Sequence, residues 1–163
     1  MCLYSCRPKR RIGAASAVCV FFFVSAMAFS AVGLNNNLRR LFNLTAMLML
    51  LICFMVAKRF ILTAYSYTVY YGESVDLVIY EHTLADKEPI VVCRIALSSV
   101  TDVSEIHGKE KRKKIDKTAD YNSYTASMLE RDCILLSYSE YDESGVIRLS
   151  YDKELLSVIE KYK

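Results

Sequence analysis

The chain has 163 residues and a formal net charge of +3, but its charges are unevenly divided. Up to Arg40 there are six basic residues and no acidic one, which leaves fifteen basic and eighteen acidic residues from Lys58 onward. That later part has a net charge of −3 and is not expected to bind nucleic acid in general.

No Walker-type, G-x-G-x-x-G, H-E-x-x-H or G-x-S-x-G pattern occurs, so the sequence supports no enzymatic activity and no cofactor.

Two uncharged runs near the N-terminus are long enough to cross a bilayer. Residues 13–34 contain no charged side chain, and at about 1.5 Å rise per residue they cover the ~30 Å hydrocarbon core. Residues 41–57 form a second uncharged run, interrupted only by the polar Asn43 and Thr45. Joined by a short loop at 35–40, the runs predict a transmembrane helical hairpin and a multi-pass protein of the cell membrane.

The first run also has features of a cleavable signal peptide. Basic residues precede it, and Ala26-Met27-Ala28 resembles a cleavage site. Against this alternative, the apolar run continues to Leu34 and the second run follows after a short interval, as a helical hairpin requires.

The distribution of lysine and arginine predicts the orientation of the hairpin. Six basic residues flank its outer ends, whereas the loop between the runs contains only Arg39 and Arg40. By the positive-inside rule, both termini are expected in the cytoplasm. Residues 1–12 are then a basic cytoplasmic arm, and anionic lipid attracts such an arm by about 1 kcal/mol per basic residue.

Residues 58–163 have the pattern of a β-rich soluble domain. Tyr65, Tyr67, Val69 and Tyr71 alternate at period two, and Gly72-Glu73 supplies a turn before the apolar segment 75–80. Further strand-like segments lie at 90–97, 100–106, 132–138 and 146–151, with a turn signal at 142–145 between the last two. The sequence therefore predicts six or seven short strands.

A short amphipathic helix is predicted at the C-terminal end. Asp152 is a suitable N-cap, and Leu155, Val158, Ile159 and Tyr162 follow at helical spacing. Placed over the open end of a curled sheet, this helix would bury apolar surface that short strands leave uncovered.

The order of these parts resembles the bacterial pleckstrin-homology-like domain membrane proteins of the YdbT and YdbS type. The resemblance rests on Arg59-Phe60 leading into Tyr65-Ser66-Tyr67, on the segments 92–97 and 121–124, and on the helix from Asp152. It implies an α+β fold: a transmembrane hairpin, then a sandwich or barrel of two antiparallel sheets with about seven strands and a C-terminal capping helix. The chain has no tryptophan, which eukaryotic pleckstrin-homology domains usually carry in that helix, so phosphoinositide binding is not implied.

One cluster of residues is a candidate lipid-binding site. Its members are the basic residues Lys109, Lys111, Arg112, Lys113 and Lys114, which would lie along anionic headgroups because the domain is tethered beside the membrane. The alternative is a solvated loop whose charge acidic neighbours partly cancel. The two histidines and six cysteines have no spacing suited to a metal site.

The function expected from these patterns is that of a membrane-anchored binding or scaffold module without catalytic activity. Its partners would be the lipid bilayer and a protein, either a different protein or further copies of itself. The alternative is a structural or accessory subunit of a larger membrane complex for transport or secretion, in which the hairpin makes the principal contact.

Overall fold

A computed structural model describes residues 1–9, 11–31, 36–83, 88–107, 120–128, 130, 132–140 and 143–163. The chain divides into two compact units, one of residues 11–63 and one that combines residues 1–10 with residues 64–163. Within the described residues the fold is α+β, with three α-helices and eight strands.

The first unit is a pair of long apolar helices. Helix α1 is Gly13–Ala31 and helix α2 is Asn36–Ala57, and a π-helical segment, Lys58–Leu62, continues α2. Spans of sufficient length and hydropathy cover Gly13–Ala31 and Leu38–Leu62, so each helix can cross a membrane by length and composition. Helix α2 begins inside the segment 35–40 that the sequence analysis gave to the loop.

The second unit contains two four-stranded sheets. The first has the order β1-β2-β3-β4, with β1 at Cys2–Cys6, β2 at Thr63–Tyr71, β3 at Val75–Thr83 and β4 at Ile90–Ala96. The second has the order β5-β7-β8-β6, with β5 at Val100–Ile106, β6 at Asp120–Ser123, β7 at Cys133–Glu140 and β8 at Glu143–Ser150. Helix α3, Lys153–Tyr162, closes the chain.

Strand β1 lies within residues 1–12, the predicted basic cytoplasmic arm. It pairs antiparallel with β2, from Cys2 opposite Tyr70 to Cys6 opposite Tyr67. The backbone N–H of Tyr71 also donates to the carbonyl of Met1 at 2.7 Å. Since β1 precedes α1 and β2 follows α2, the helical hairpin is an insertion between two neighbouring strands of one sheet.

A single apolar core joins the two sheets and α3. Side chains of β2, β3, β7 and β8 form its centre, and Leu155, Leu156 and Ile159 of α3 pack into the same cluster. The predicted helix cap is confirmed, because the Asp152 carboxylate accepts the backbone N–H groups of Glu154 and Leu155 at 3.0 and 2.9 Å. Of the four residues predicted to alternate along β2, Tyr65, Tyr67 and Val69 are buried in the core, whereas Tyr71 is exposed.

Several details of the sheets differ from the expected antiparallel arrangement of about seven strands. The sheets do not close into a barrel, and β6 pairs with β8 in parallel. In β4, Val91 is exposed and Val92 packs on the core, because a bulge opposite Ile79 and Tyr80 shifts the alternation by one residue. Gly145, expected in the turn, lies in β8 opposite Tyr138.

Candidate functional site

The predicted lipid-binding cluster lies outside the residues that the structure describes. Lys109, Lys111, Arg112, Lys113 and Lys114 all fall within the interval 108–119, between β5 and β6. Their role in lipid binding stays a prediction.

The face of the first sheet opposite the core carries a row of polar side-chain pairs that cross between strands. The hydrogen-bonded pairs are Ser5 with Thr68 at 3.2 Å, Ser66 with His82 at 2.7 Å and Tyr70 with Tyr80 at 3.0 Å. Each pair joins two neighbouring strands, and β1 takes part through Ser5. The N-terminal segment is therefore integrated into this polar face.

One pocket of about 300 Å³ opens at the end of this face, where β2 turns into β3. Tyr70, Tyr71, the turn at 72–74, Asp76 and Arg94 line it. Arg94 comes from the edge strand β4, so the pocket is assembled from three strands of one sheet. Its lining thus combines two tyrosines with one arginine, residue types that are enriched in protein interfaces.

Arg94 and Asp76 form the charged centre of this pocket. The guanidinium donates from Nε at 2.8 Å and from Nη2 at 2.6 Å to the same oxygen, Oδ2, of Asp76. The hydroxyl of Ser74 donates to the other oxygen, Oδ1. The hydrogen bond from Ser74, followed by the contact with Arg94, holds the pKa of Asp76 below its ordinary value.

This pair is arranged to present arginine outward. The Asp76 side chain is only 10% exposed, whereas the Arg94 side chain is 69% exposed. The buried carboxylate thus fixes the orientation of a guanidinium whose remaining N–H groups face solvent, and such a group is preorganised to bind a carboxylate or a carbonyl oxygen. This pair was not predicted from the sequence. The sequence indicates it only by an acidic residue, Asp76, on one predicted strand and a basic residue, Arg94, on the next.

A second polar contact ties β1 to α3. The Tyr4 hydroxyl donates to Oδ1 of Asp152 at 2.8 Å, and this is the carboxylate that caps α3. Burial and the neighbouring carboxylate raise the pKa of Tyr4. Burial, followed by the charge of Asp152, likewise raises the pKa of the Cys6 thiol to about 11. Both groups stay neutral near pH 7, as expected for groups that connect β1 to the rest of the unit.

The half-buried carboxylate of Glu130 lies ahead of β7 and is hydrogen-bonded to β8. Ser150 Oγ donates to Oε2 of Glu130 at 2.9 Å, and Arg148 Nη2 donates to the Glu130 carbonyl at 3.0 Å. The Tyr67 hydroxyl donates to the carbonyl of Tyr124 at 2.6 Å and accepts the Ser150 backbone N–H at 3.1 Å. Burial raises the pKa of Glu130. These hydrogen bonds connect Tyr124 and Glu130 to β2 and β8, whereas the buried Nε of Arg148 has no hydrogen-bond partner among the described residues.

The histidines have separate environments. His82 is half-buried in β3, and burial, followed by the charge of Arg7, lowers its pKa. His107 is exposed, with Nε2 at 2.8 Å from Glu105 and Nδ1 at 3.3 Å from Asp132. Among the described residues, no group of three or more histidines, cysteines or carboxylates is placed to hold a metal ion.

Comparisons with protein-family models, with curated proteins and with solved structures find no match. The layout of two apolar N-terminal helices followed by a β-sheet domain fits the resemblance noted from the sequence. Membership of the pleckstrin-homology-like family stays a prediction.

Proposed function

We propose that the protein is a membrane-anchored binding module without catalytic activity. The observation that carries this proposal is the pairing of β1 with β2 on either side of the helical hairpin. Through this pairing, both ends of the hairpin are held by the same folded domain. A domain connected twice to a membrane-spanning segment stays close to the membrane, as suits a module that binds a partner there.

The same pairing supports a multi-pass topology with both termini in the cytoplasm. Strands β1 and β2 are neighbours, about 4.8 Å apart in a sheet, so the two connections to the hairpin leave the domain side by side. The chain leaves the domain after β1 and returns to it at β2, on the same side of the membrane. It must therefore cross the membrane an even number of times. The basic residues at the outer flanks favour the cytoplasmic side for this domain. Cleavage after Ala28 would remove β1, which disfavours a signal peptide.

The architecture also supports the pleckstrin-homology-like assignment in outline. Two four-stranded sheets pack on one core, and a C-terminal helix caps them. The parallel pair of β6 and β8 and the extra strand β1 depart from the expected pattern. The assignment therefore rests on the order of the elements and on the capping helix.

We assign the binding of a protein partner to the pocket around Arg94. A guanidinium oriented by a buried carboxylate recognises a carboxylate or a backbone carbonyl, and the tyrosines beside it supply contact area at low entropic cost. Removing such an arginine from an interface costs about 1–2 kcal/mol, which corresponds to a loss of affinity of roughly five- to thirtyfold.

The test compares the full-length protein with a version whose hairpin is replaced. Because Cys6 lies opposite Tyr67, a Gly/Ser linker of about six residues, which spans about 13 Å, is expected to join residues 1–9 to residues 63–163. This hairpin-replaced protein keeps β1, which a simple deletion of residues 1–57 would remove. Both proteins are purified in mild detergent, and the co-purifying proteins are quantified by mass spectrometry.

A binding module retains the same partner in both versions, and Arg94→Gln lowers its recovery about tenfold. The matched control is Lys153→Gln, which removes an exposed positive charge from α3. Equal recovery with Arg94→Gln and with wild type would remove the pocket from the proposal.

The second candidate function is that of a structural or accessory subunit of a membrane complex for transport or secretion. The observation that favours it is the apolar surface of the hairpin, where large side chains such as Phe21, Phe54 and Met47 are exposed. Lipid or the helices of other subunits cover such a surface. In the same experiment this function predicts that the partners are recovered only with the full-length protein.

Binding of anionic lipid by the basic cluster is tested separately. The hairpin-replaced protein should bind vesicles rich in phosphatidylglycerol at low salt, and the binding should fall as salt rises because the Debye length shortens. A variant with Lys109, Lys111, Arg112, Lys113 and Lys114 changed to Gln should lose this binding without a change in melting temperature. Equal binding by both proteins would assign the cluster to a solvated loop.

A further inference from the structure

Two thiols face each other across the helical hairpin. Cys19 of α1 donates from Sγ to the backbone carbonyl of Cys53 at 3.6 Å, and Cys53 of α2 donates from Sγ to the carbonyl of Cys19 at 3.5 Å. Each sulfur therefore reaches the backbone of the other cysteine. This reciprocal arrangement places both thiols at one crossing point of the helices.

The packing of the hairpin explains why the two backbones approach so closely here. The buried positions of the helices are alanines, namely Ala15 and Ala26 in α1 and Ala46 in α2. Small side chains at a helix interface allow close contact of the backbones. At the other end of the hairpin, the rings of Phe29 and Phe42 are 5.3 Å apart and separate the helices by their bulk.

This geometry favours a disulfide. A disulfide needs Cα atoms within about 7 Å and side chains that point toward each other. Here each sulfur lies within 3.6 Å of the backbone carbonyl oxygen of the other cysteine, so the two side chains are directed across the same helix contact. The remaining cysteines, Cys2, Cys6, Cys93 and Cys133, belong to the other unit.

We propose that Cys19 and Cys53 are a modification site at which a lipid-soluble two-electron oxidant of the quinone class joins the two helices by a disulfide. In this reaction the two S–H bonds break and one S–S bond forms. The two electrons and two protons pass to the carbonyl oxygens of the quinone, which leaves as a hydroquinone. One quinone is consumed for each disulfide, and no other reactant is needed.

The position of the pair points to an oxidant from the lipid phase. Cys19 is six residues from the start of α1, about 9 Å along the helix, and Cys53 is nine residues from Leu62, where the π-helical continuation of α2 ends. Both residues therefore lie inside the candidate spans Gly13–Ala31 and Leu38–Leu62. Both residues are half-buried, so part of each side chain is exposed on the outer surface of the hairpin. Glutathione is charged and water-soluble, and exchange with it requires a thiolate, which an apolar environment disfavours.

The experiment uses the full-length protein in lipid vesicles. The vesicles are treated with decylubiquinone, whose fully substituted ring has no free position for addition of a thiol. After denaturation without reductant, the free thiols are counted with N-ethylmaleimide. The expected result is a loss of two of the six reactive thiols. Six remaining thiols would overturn the proposal, and this readout needs no variant.

Peptide mapping identifies the bond. Trypsin cleaves after the basic residues that flank the helices and releases the peptides 12–39 and 41–58, each with one cysteine. The oxidised protein should yield these two peptides as a linked pair, two hydrogen atoms lighter than their sum. The linked pair should be absent from Cys19→Ser and from Cys53→Ser, and present in the matched control Cys93→Ser. A linkage to any other cysteine, or migration of the oxidised protein as a covalent dimer, would contradict the proposal.

Discussion

The contact between Tyr4 and Asp152 offers a direct measurement of whether β1 is docked on the sheet domain. Tyr4→Phe removes the hydroxyl that donates to Asp152 at 2.8 Å and leaves the ring in place. Asp152 keeps its bonds to the N–H groups of Glu154 and Leu155, so no buried acceptor is orphaned. The expected cost is that of one partly exposed hydrogen bond to a charged group, about 1 kcal/mol. In a domain of this size, such a loss lowers the melting temperature by about 4–8 °C.

The assay is urea unfolding of the hairpin-replaced protein, followed by circular dichroism, in a double-mutant cycle with Asp152→Asn. Asparagine still caps a helix, so this change tests the pairing more than the cap. We expect a coupling energy of about 1 kcal/mol between the two positions. Tyr71→Phe is the matched control, because Tyr71 is exposed at the end of β2. A coupling energy near zero would mean that β1 does not rest on α3, and the two-point attachment of the domain would lose its main support.

Three further predictions concern the sheet domain. Truncation after Tyr151 removes α3, whose three buried side chains each contribute about 1.5–3 kcal/mol against a total of about 5–15 kcal/mol, so the truncated protein should show no cooperative melting transition. The hydrogen bonds that His107 donates to Glu105 and then to Asp132 raise its pKa, so its stabilising contribution is present below the ordinary histidine value and is lost as pH rises through the raised pKa. Wild type should therefore lose stability relative to His107→Gln as the pH rises above the ordinary histidine value of about 6.5, and a pH-independent difference in melting temperature would contradict this. Gly145→Ala should lower the melting temperature and restoring space with Tyr138→Ala should recover part of the loss, since a Cβ at Gly145 would lie about 2.5 Å from the Tyr138 ring.

The two long apolar helices and the capping helix could be predicted from the sequence because their signals are local. An uncharged run of sufficient length marks a span wherever it lies, and Asp152 followed by apolar residues at helical spacing marks α3. The face that Tyr65, Tyr67 and Val69 share in β2 was also readable, since these residues alternate at period two. In the segment 90–97 the same alternation places Cys93, Ile95 and Leu97 against the core. The outward position of Val91 was not readable, because the bulge that causes it depends on the pairing with β3.

The pocket around Arg94 shows the same limit for the candidate site. Asp76 and Arg94 are 18 residues apart, and their contact depends on the register in which Asp76 lies opposite Ala96. Either residue alone is indistinguishable in the sequence from a solvated surface charge. The contact between Cys19 and Cys53 likewise could not be predicted from the sequence, because it depends on the register of the two helices. Only their positions within the predicted spans were known.

The sequence by itself determined that the chain has two helices able to span a membrane, a β-rich part and a final amphipathic helix, because length, charge and periodicity act within a few turns or strands. Only the tertiary structure decided that residues 2–6 form a strand of the sheet domain, and that the hairpin is inserted between β1 and β2. The physical reason is that a five-residue segment has too few local interactions to specify a strand. Its conformation is selected by backbone hydrogen bonds to β2, by the contact of Tyr4 with Asp152 and by packing on a core built from residues more than sixty positions away.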